Sequence, residues 1–263
     1  MTTLSSRIRW NLETKIYSRL GVFDPRLQFR RSMFDGFQDN ELQRITPDLA
    51  RTRYADPLPG VAGWLSPREK QLLYAFGRWL KGPFFEVGPW VGKSTCCIAS
   101  GIRDSGERKR FVSAELNPSL ANFRPVESGI GFFYPADSTT NMGTCTLREF
   151  EDEIRPVIMR PGRVIGELKR NLSRFQLADL VHVREGSFAE VEDSGFRFLF
   201  VDSMHTPEEI ERNAPYLKRH LRPGVVMACH DLNCHPDNEK ILRRSFSYGH
   251  TFVVDTTFVG EIV

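Results

Sequence analysis

The sequence predicts a doubly wound α/β domain whose sheet is mostly parallel, with an antiparallel last strand and helices on both faces. Three observations carry this. Short β-rich apolar runs recur at residues 84–87, 111–114, 180–183, 196–201 and 225–229. Helical patterns separate them, and continuous rather than alternating apolar runs belong to strands buried on both faces. Two last runs, 251–254 and 258–262, lie close enough to form a terminal antiparallel pair.

The elements follow in order. Residues 1–65 read as an N-terminal helical arm: Ile8, Leu12, Ile16 and Leu20 recur every fourth residue, Trp10 and Tyr17 flank them, and Gly21 supplies a stop. Beyond Pro25 the arm is irregular, with scattered aromatics (Phe29, Phe34, Phe37, Tyr54). It is expected to pack on the main domain or on a second subunit, which leaves a homodimer open. The main domain, 66–263, opens with Ser66-Pro67-Arg68-Glu69, a capping box with Pro at the first helical position. That helix runs to about Leu80, and Gly82-Pro83 ends it. Thr206-Pro207-Glu208-Glu209 starts another capped helix, with Ile210, Ala214, Leu217 and Leu221 on one face and a kink expected at Pro215. Residues 118–160 interrupt the alternation. They are too many for an αβ connection and contain Phe132-Phe133-Tyr134, so a folded insertion is expected, helical over 147–159.

Composition bounds the function. At 263 residues, 40% hydrophobic and 26% charged, the chain is long enough for a substantial core and ordinary for a globular protein. A net charge of +3, with both signs interspersed, gives no reason to expect nucleic acid or anionic lipid as a partner. No apolar stretch approaches a membrane span. The five cysteines show no disulfide spacing, so a reducing, cytoplasmic location is expected.

Gly88-Pro89-Trp90-Val91-Gly92-Lys93-Ser94-Thr95 invites a nucleoside triphosphate reading. A phosphate-binding loop needs four residues between its first Gly and Gly-Lys-Ser. Here the required position is Val87, and the neighbouring Glu86 would repel phosphate. Nor is Gly-x-x-x-Gly the dinucleotide fingerprint. What remains is an acid near the end of a strand, then a glycine turn leading into a helix. That suits a ligand bearing an ammonium, a carboxylate and a ribose, with Gly88 and Gly92 letting backbone approach it. Glu115 ends the second strand, where a carboxylate can accept ribose hydroxyls.

Together Glu86–Ser94 and Glu115–Pro118 resemble the first two motifs of class I S-adenosylmethionine-dependent methyltransferases, especially catechol O-methyltransferase and the macrocin-type sugar O-methyltransferases. The resemblance spans roughly 66–263 and omits the arm and the insertion. It implies a Rossmann-like sheet and S-adenosyl-L-methionine as cofactor. It puts Glu86, Gly88, the turn residues Trp90 and Gly92, and Ser94 at the methionine end. Glu115 then meets the ribose, and Ser187 and Phe188 the adenine edge. Asp202 borders cofactor and reaction centre.

Asp202-Ser203-Met204-His205 and His230-Asp231-Leu232-Asn233 follow the fourth and fifth strands, neighbours beside the crevice. Two acids and two histidines there can hold a divalent cation, deprotonate a hydroxyl, or both. By resemblance Asp202, Asp231 and His230 are the metal positions, and His205 stands where the catechol-type enzymes carry a lysine base. The helix start at Thr206 is expected to keep His205 neutral. Imidazole at His230 fits magnesium poorly and zinc, iron or nickel better, leaving magnesium, another metal, or none. His230 is also open as a base or a structural residue. The cluster Cys229, His230, Cys234, His235 matches no common zinc-site spacing. The expected activity is O-methylation of a small acceptor: a sugar, polyketide or phenolic metabolite. Methylation of RNA or protein, a hydrolase or hydroxylase on the same fold, and a purely binding role are the alternatives.

Overall fold

A computed structural model describes Leu58 and residues 60–135, 137–192 and 195–263. The amphipathic helix expected in the arm lies outside these residues. The described chain forms a seven-stranded sheet with helices on both faces, and a smaller three-stranded sheet.

Helix α1 (Pro67–Trp79) starts as its sequence dictates. The Ser66 hydroxyl accepts the Glu69 amide, and the Glu69 carboxylate accepts the Ser66 amide. β1 (Phe84–Val87) follows, then α2 (Lys93–Ser105) and β2 (Phe111–Glu115). α1 and α2 touch backbone to backbone. A Cβ at Gly77 would collide with the Ile98 carbonyl, and one at Gly101 with the Tyr74 carbonyl.

The insertion holds β3 (Phe123–Val126), β4 (Gly129–Phe133) and β5 (Asn141–Cys145), paired antiparallel in the order β3-β4-β5. Helical residues follow as expected, though in three pieces: α3 (Leu147–Glu149), a π turn (Phe150–Ile154) and α4 (Arg155–Ile158). Pro156, which lacks the N–H that an α-helix needs, stands just beyond the widened turn. Phe150 closes an aromatic cluster with Phe123 and Phe132, ring centres 5.1–5.3 Å apart. α5 (Arg163–Arg174) leads back to β6 (His182–Glu185), two residues later than expected. Ala178–Leu180 forms a short 3-10 turn instead. Leu180 lent the turn an apolar signal, while Arg184 and Glu185 gave the true strand end none.

β7 (Phe198–Val201), α6 (Pro207–Lys218), β8 (Val226–Cys229) and α7 (Asn238–Ser245) follow, then β9 (Tyr248–Val254) and β10 (Thr257–Ile262). α6 continues through Pro215 as one element. The sheet order is β6-β2-β1-β7-β8-β10-β9; the first five strands are parallel, and β10 runs antiparallel to both β8 and β9. Alternate strand residues feed two cores. Phe84, Phe198 and Phe200 pack with Leu72, Phe76 and Leu168 on one face, and Phe85, Leu199 and Val201 with Ile210, Leu217 and Leu242 on the other. Among the described residues no helix is long and apolar enough to cross a membrane. The winding reverses between β1 and β7, so a crevice opens at their carboxyl ends.

Candidate active site at the carboxyl edge of the sheet

The turn after β1 is held by the protein itself. The Gly88 N–H donates to the Ala114 carbonyl at 3.1 Å, and the Asp202 N–H to the Val87 carbonyl at 2.9 Å. Gly88 has φ +77°, and a Cβ there would strike the Asp202 carbonyl. Gly92, φ +91°, caps α2, and a Cβ there would strike Leu168 of α5. Both glycines therefore serve close packing between elements. Glu86 is fully buried and collects three hydroxyls: Ser94 at 2.5 Å, Thr95 at 2.7 Å and Ser113 at 2.7 Å. Burial pushes its carboxyl up to about 7 against the pull of those donors. Ser94 thus braces Glu86, and Glu86 braces the turn.

Glu115, at the tip of β2, accepts the Trp90 N–H at 3.0 Å on one oxygen and the Asn117 N–H at 3.3 Å on the other. It is nearly buried, and burial raises it to about 7 as well. Asn117 extends the brace. Its amide donates to Glu185 at 2.9 Å and its carbonyl oxygen accepts the Ile165 N–H at 3.1 Å, tying β2 to β6 and α5. The Gly186 N–H donates to the Glu115 carbonyl at 2.8 Å, so the next turn sits beside β2's tip. There Ser187 accepts the Ala189 N–H, while Phe188 meets the Tyr216 ring edge-on.

The β7 and β8 tips carry the other half. His205 is oriented by Glu209: its backbone N–H donates to Glu209 Oε2 at 2.7 Å, and its Nδ1 lies 3.3 Å from that oxygen. Its Nε2 then faces Asp202 Oδ1 and Asp231 Oδ2, 3.7 Å from each. One ligand atom from each of Asp202, His205 and Asp231 falls within 4.8 Å of the others. The expected metal set differs by one member, since His205 stands in it where His230 was placed. His230 is buried, with Nδ1 3.1 Å from Asp202 Oδ1 and 3.4 Å from Asp231 Oδ1, and its Nε2 turns away toward Glu69. Asp231 adopts φ +59°, a left-handed conformation that costs a residue other than Gly some strain.

Electrostatics here run opposite to the first half. Burial disfavours a proton on His205, yet Asp202 and Glu209 raise it well above 6.5. The expectation that a helix N-terminus keeps it neutral fails, because full carboxylate charges at contact outweigh a partial dipole. Burial also opposes charge on His230, but Asp202 and Glu69 lift it to about 11. Burial would raise Asp202, and the two imidazoles bring it below the ordinary range. Asp231 goes up, by burial and by Asp202, against the pull of His230.

Two residues that sequence reasoning took only as helix starters, Glu69 and Glu209, are thus partners of the histidines. The four-residue spacing from His205 to Glu209 could have found the second; no local pattern links Glu69 to His230.

A family profile described as a methyltransferase domain matches residues 85–232. No curated protein sequence matches. Solved structures resemble the fold at low identity. One is an O-methyltransferase from Bacillus cereus in complex with SAH, 18% identical over 86% of this chain and 91% of that one, TM-score 0.45. Another is the O-methyltransferase TomG from Streptomyces achromogenes, involved in tomaymycin synthesis and solved with SAM, 16% identical over 88% and 93%, TM-score 0.45. A third is an RNA methyltransferase from Salinibacter ruber in complex with SAH, 14% identical over 75% and 91%, TM-score 0.44. The matched span takes in more than half of the chain, including the Glu86 turn, Glu115, Asp202, His205 and Asp231, and by that match the chain belongs to the methyltransferase-domain family.

Proposed function

We propose that the chain is an S-adenosylmethionine-dependent O-methyltransferase acting on a hydroxyl of a small metabolite such as a sugar, polyketide or phenol. The observation that carries this reading is one sheet edge with two unlike halves: a carboxylate held by amides at the β2 tip, and a carboxylate–imidazole group at the β7 and β8 tips.

The cofactor fits best at its ribose end. The amide donors to Glu115 leave acceptor capacity on its oxygens, and among the described residues no cation pairs with it, so a ribose hydroxyl is the natural donor. Glu86 acts at one remove. Its oxygens are taken by Ser94, Thr95 and Ser113, so the turn it braces, rather than its carboxylate, meets the methionine end. When bound, S-adenosylmethionine supplies a methyl group on a sulfonium, and the chain's task is to hold an acceptor oxygen in line with it. Ideal placement of two reactants is worth roughly 7–11 kcal/mol of barrier.

Asp202 and Asp231 then orient the acceptor hydroxyl, and His205 Nε2 takes its proton in the fraction of molecules where that nitrogen has already lost its own; the carboxylates that raise His205 move this fraction, and the turnover it supports, to higher pH. The donor set also fits a divalent ion that tolerates imidazole, with Glu209 as the outer carboxylate behind the histidine. Such an ion, when bound, would supply a Lewis acid to the acceptor oxygen. Ligation and proton removal compete for one nitrogen. Transfer that survives a chelator assigns Nε2 to the proton; transfer lost to chelator, with S-adenosylhomocysteine binding intact, assigns it to the ion. For the reading as a whole, calorimetry should give S-adenosylhomocysteine a micromolar Kd, about 8 kcal/mol, with no competition from ATP. Tight ATP binding without S-adenosylhomocysteine binding would overturn it.

A further inference from the structure

We propose that Glu69, on α1 and outside the matched methyltransferase span, is a positioning residue that fixes the His230 ring against Asp202. This rests on the assignment of Asp202 to the reaction centre made above. Glu69 is 1% exposed, and its two oxygens do different work. Oε1 accepts the Thr256 N–H at 2.9 Å, the Thr256 hydroxyl at 2.7 Å and the Thr257 hydroxyl at 3.0 Å. Those contacts clamp α1 to the β9–β10 turn. Oε2 accepts the Ser66 N–H at 2.8 Å and lies 3.7 Å from His230 Nε2.

The histidine supplies the second half of the argument. His230 is 2% exposed, and its Nε2 is a buried polar atom with no hydrogen-bond partner among the described residues. Buried polar groups are nearly always satisfied. At 3.7 Å the contact with Glu69 is ionic rather than a hydrogen bond, and it is what compensates that nitrogen. Nδ1, at the other end of the ring, is 3.1 Å from Asp202 Oδ1. An imidazole whose Nδ1–H points at one carboxylate would present a lone pair to Glu69 if it were singly protonated, and carbon in place of both nitrogens if it were flipped; held between two carboxylates it presents N–H to both. The Thr256 turn completes the brace, because its carbonyl accepts the Leu232 N–H at 2.9 Å, one residue beyond Asp231. Glu69 therefore sets the ring, and the ring sets the Asp202 carboxylate.

A merely structural Glu69 would cap α1 and clamp the turn without governing the ring. Nitrogen-15 NMR of the full chain, labelled at histidine, separates the two roles without needing an acceptor. The His230 ring N–H signals are assigned by their loss in His230→Gln. Expected is a wild-type spectrum with protected N–H signals at both ring nitrogens. Glu69→Gln should displace or erase the Nε2–H signal and disturb Nδ1–H. Thr256→Val, which removes a donor to Oε1 only, should lower the melting temperature and leave both signals in place. If Glu69→Gln fails to fold, Glu69→Asp withdraws the carboxylate from the ring and should move the same signal. An unchanged His230 spectrum in a folded Glu69 variant overturns the proposal. Failure of the wild-type protein to bind S-adenosylhomocysteine would sink the methyltransferase reading while leaving the Glu69 result standing.

Discussion

The two halves of the carboxyl edge use the same residue types to opposite ends. At the β1 and β2 tips, Glu86 and Glu115 are surrounded by hydroxyl and amide donors, and burial raises both to about 7. At the β7 and β8 tips, Asp202 is flanked by two imidazoles that hold it below the ordinary range. A buried carboxylate with neutral donors is suited to receive further hydroxyls, whereas one in an ionic chain is suited to manage a proton or a cation. In the proposed reading, partner type, more than burial, separates the cofactor side of the crevice from the reacting side.

The strongest break in that division is Asp202→Asn. It should cut methyl transfer by about 10²–10⁴-fold, the scale of a lost proton-handling group, and leave S-adenosylhomocysteine affinity near wild type. Turnover against a panel of small hydroxyl compounds, with calorimetry alongside, checks it. Equal damage to both quantities would mean that the halves are not functionally distinct.

Glu86 tests the other half through stability. Burial raises it to about 7, above the ordinary carboxyl value of 4.5, so the folded state holds the proton more tightly. The stability gained is complete below about 4.5 and is lost as pH rises through 7, about 3 kcal/mol in all. Glu86→Gln, which stays neutral, should remove that slope and leave the variant relatively more stable at pH 8. Denaturant melts at pH 5 and pH 8 read it; parallel slopes for both proteins would put Glu86 in its ionised form throughout.

Glu115→Ala should weaken S-adenosylhomocysteine by roughly 10–150-fold, since hydrogen bonds to a charged group contribute about 1.5–3 kcal/mol. An unaffected Kd would confine Glu115 to bracing Trp90 and Asn117.

How much of this was legible in sequence follows from the range of each interaction. The capping boxes at Ser66 and Thr206 are local and stood where expected. The central strands β1, β7 and β8 were visible because both of their faces are apolar, whereas β6, with His182 and Glu185 exposed, was placed two residues early. The insertion strands were not visible: Gly129, Gly131 and Gly143, with Pro125 beside them, dilute any β signal, and pairing alone makes them strands. The candidate site residues could be named from sequence because they stand at or beside strand ends. Their partners were missed wherever contact is made across the fold: Ser113 with Glu86, Asn117 with Ile165, and Glu69 with His230. The dipole argument at Thr206 misjudged His205 for a different reason: it left out Asp202 and Glu209, three residues before and four after, although both were legible in the sequence.

His205 offers the finest test, because it sits where helix dipole and carboxylates disagree. Asp202, Glu209 and Asp231 all lie within 3.7 Å of its ring nitrogens; burial disfavours its proton, yet Asp202 and Glu209 raise its pKa. The stability this confers is present below 6.5 and lost as pH rises through the raised value. In chelator, the His205 ring signal in NMR should therefore titrate above 6.5. Glu209→Gln keeps an amide oxygen to accept the His205 and Thr206 N–H groups but removes the charge at Nδ1. The midpoint should then fall. Added zinc, if it binds through Nε2, should lower the wild-type midpoint further, since ion and proton exclude each other there. A wild-type midpoint at or below 6.5 in chelator would restore the dipole as the dominant influence and erase the contrast between the two halves at this residue.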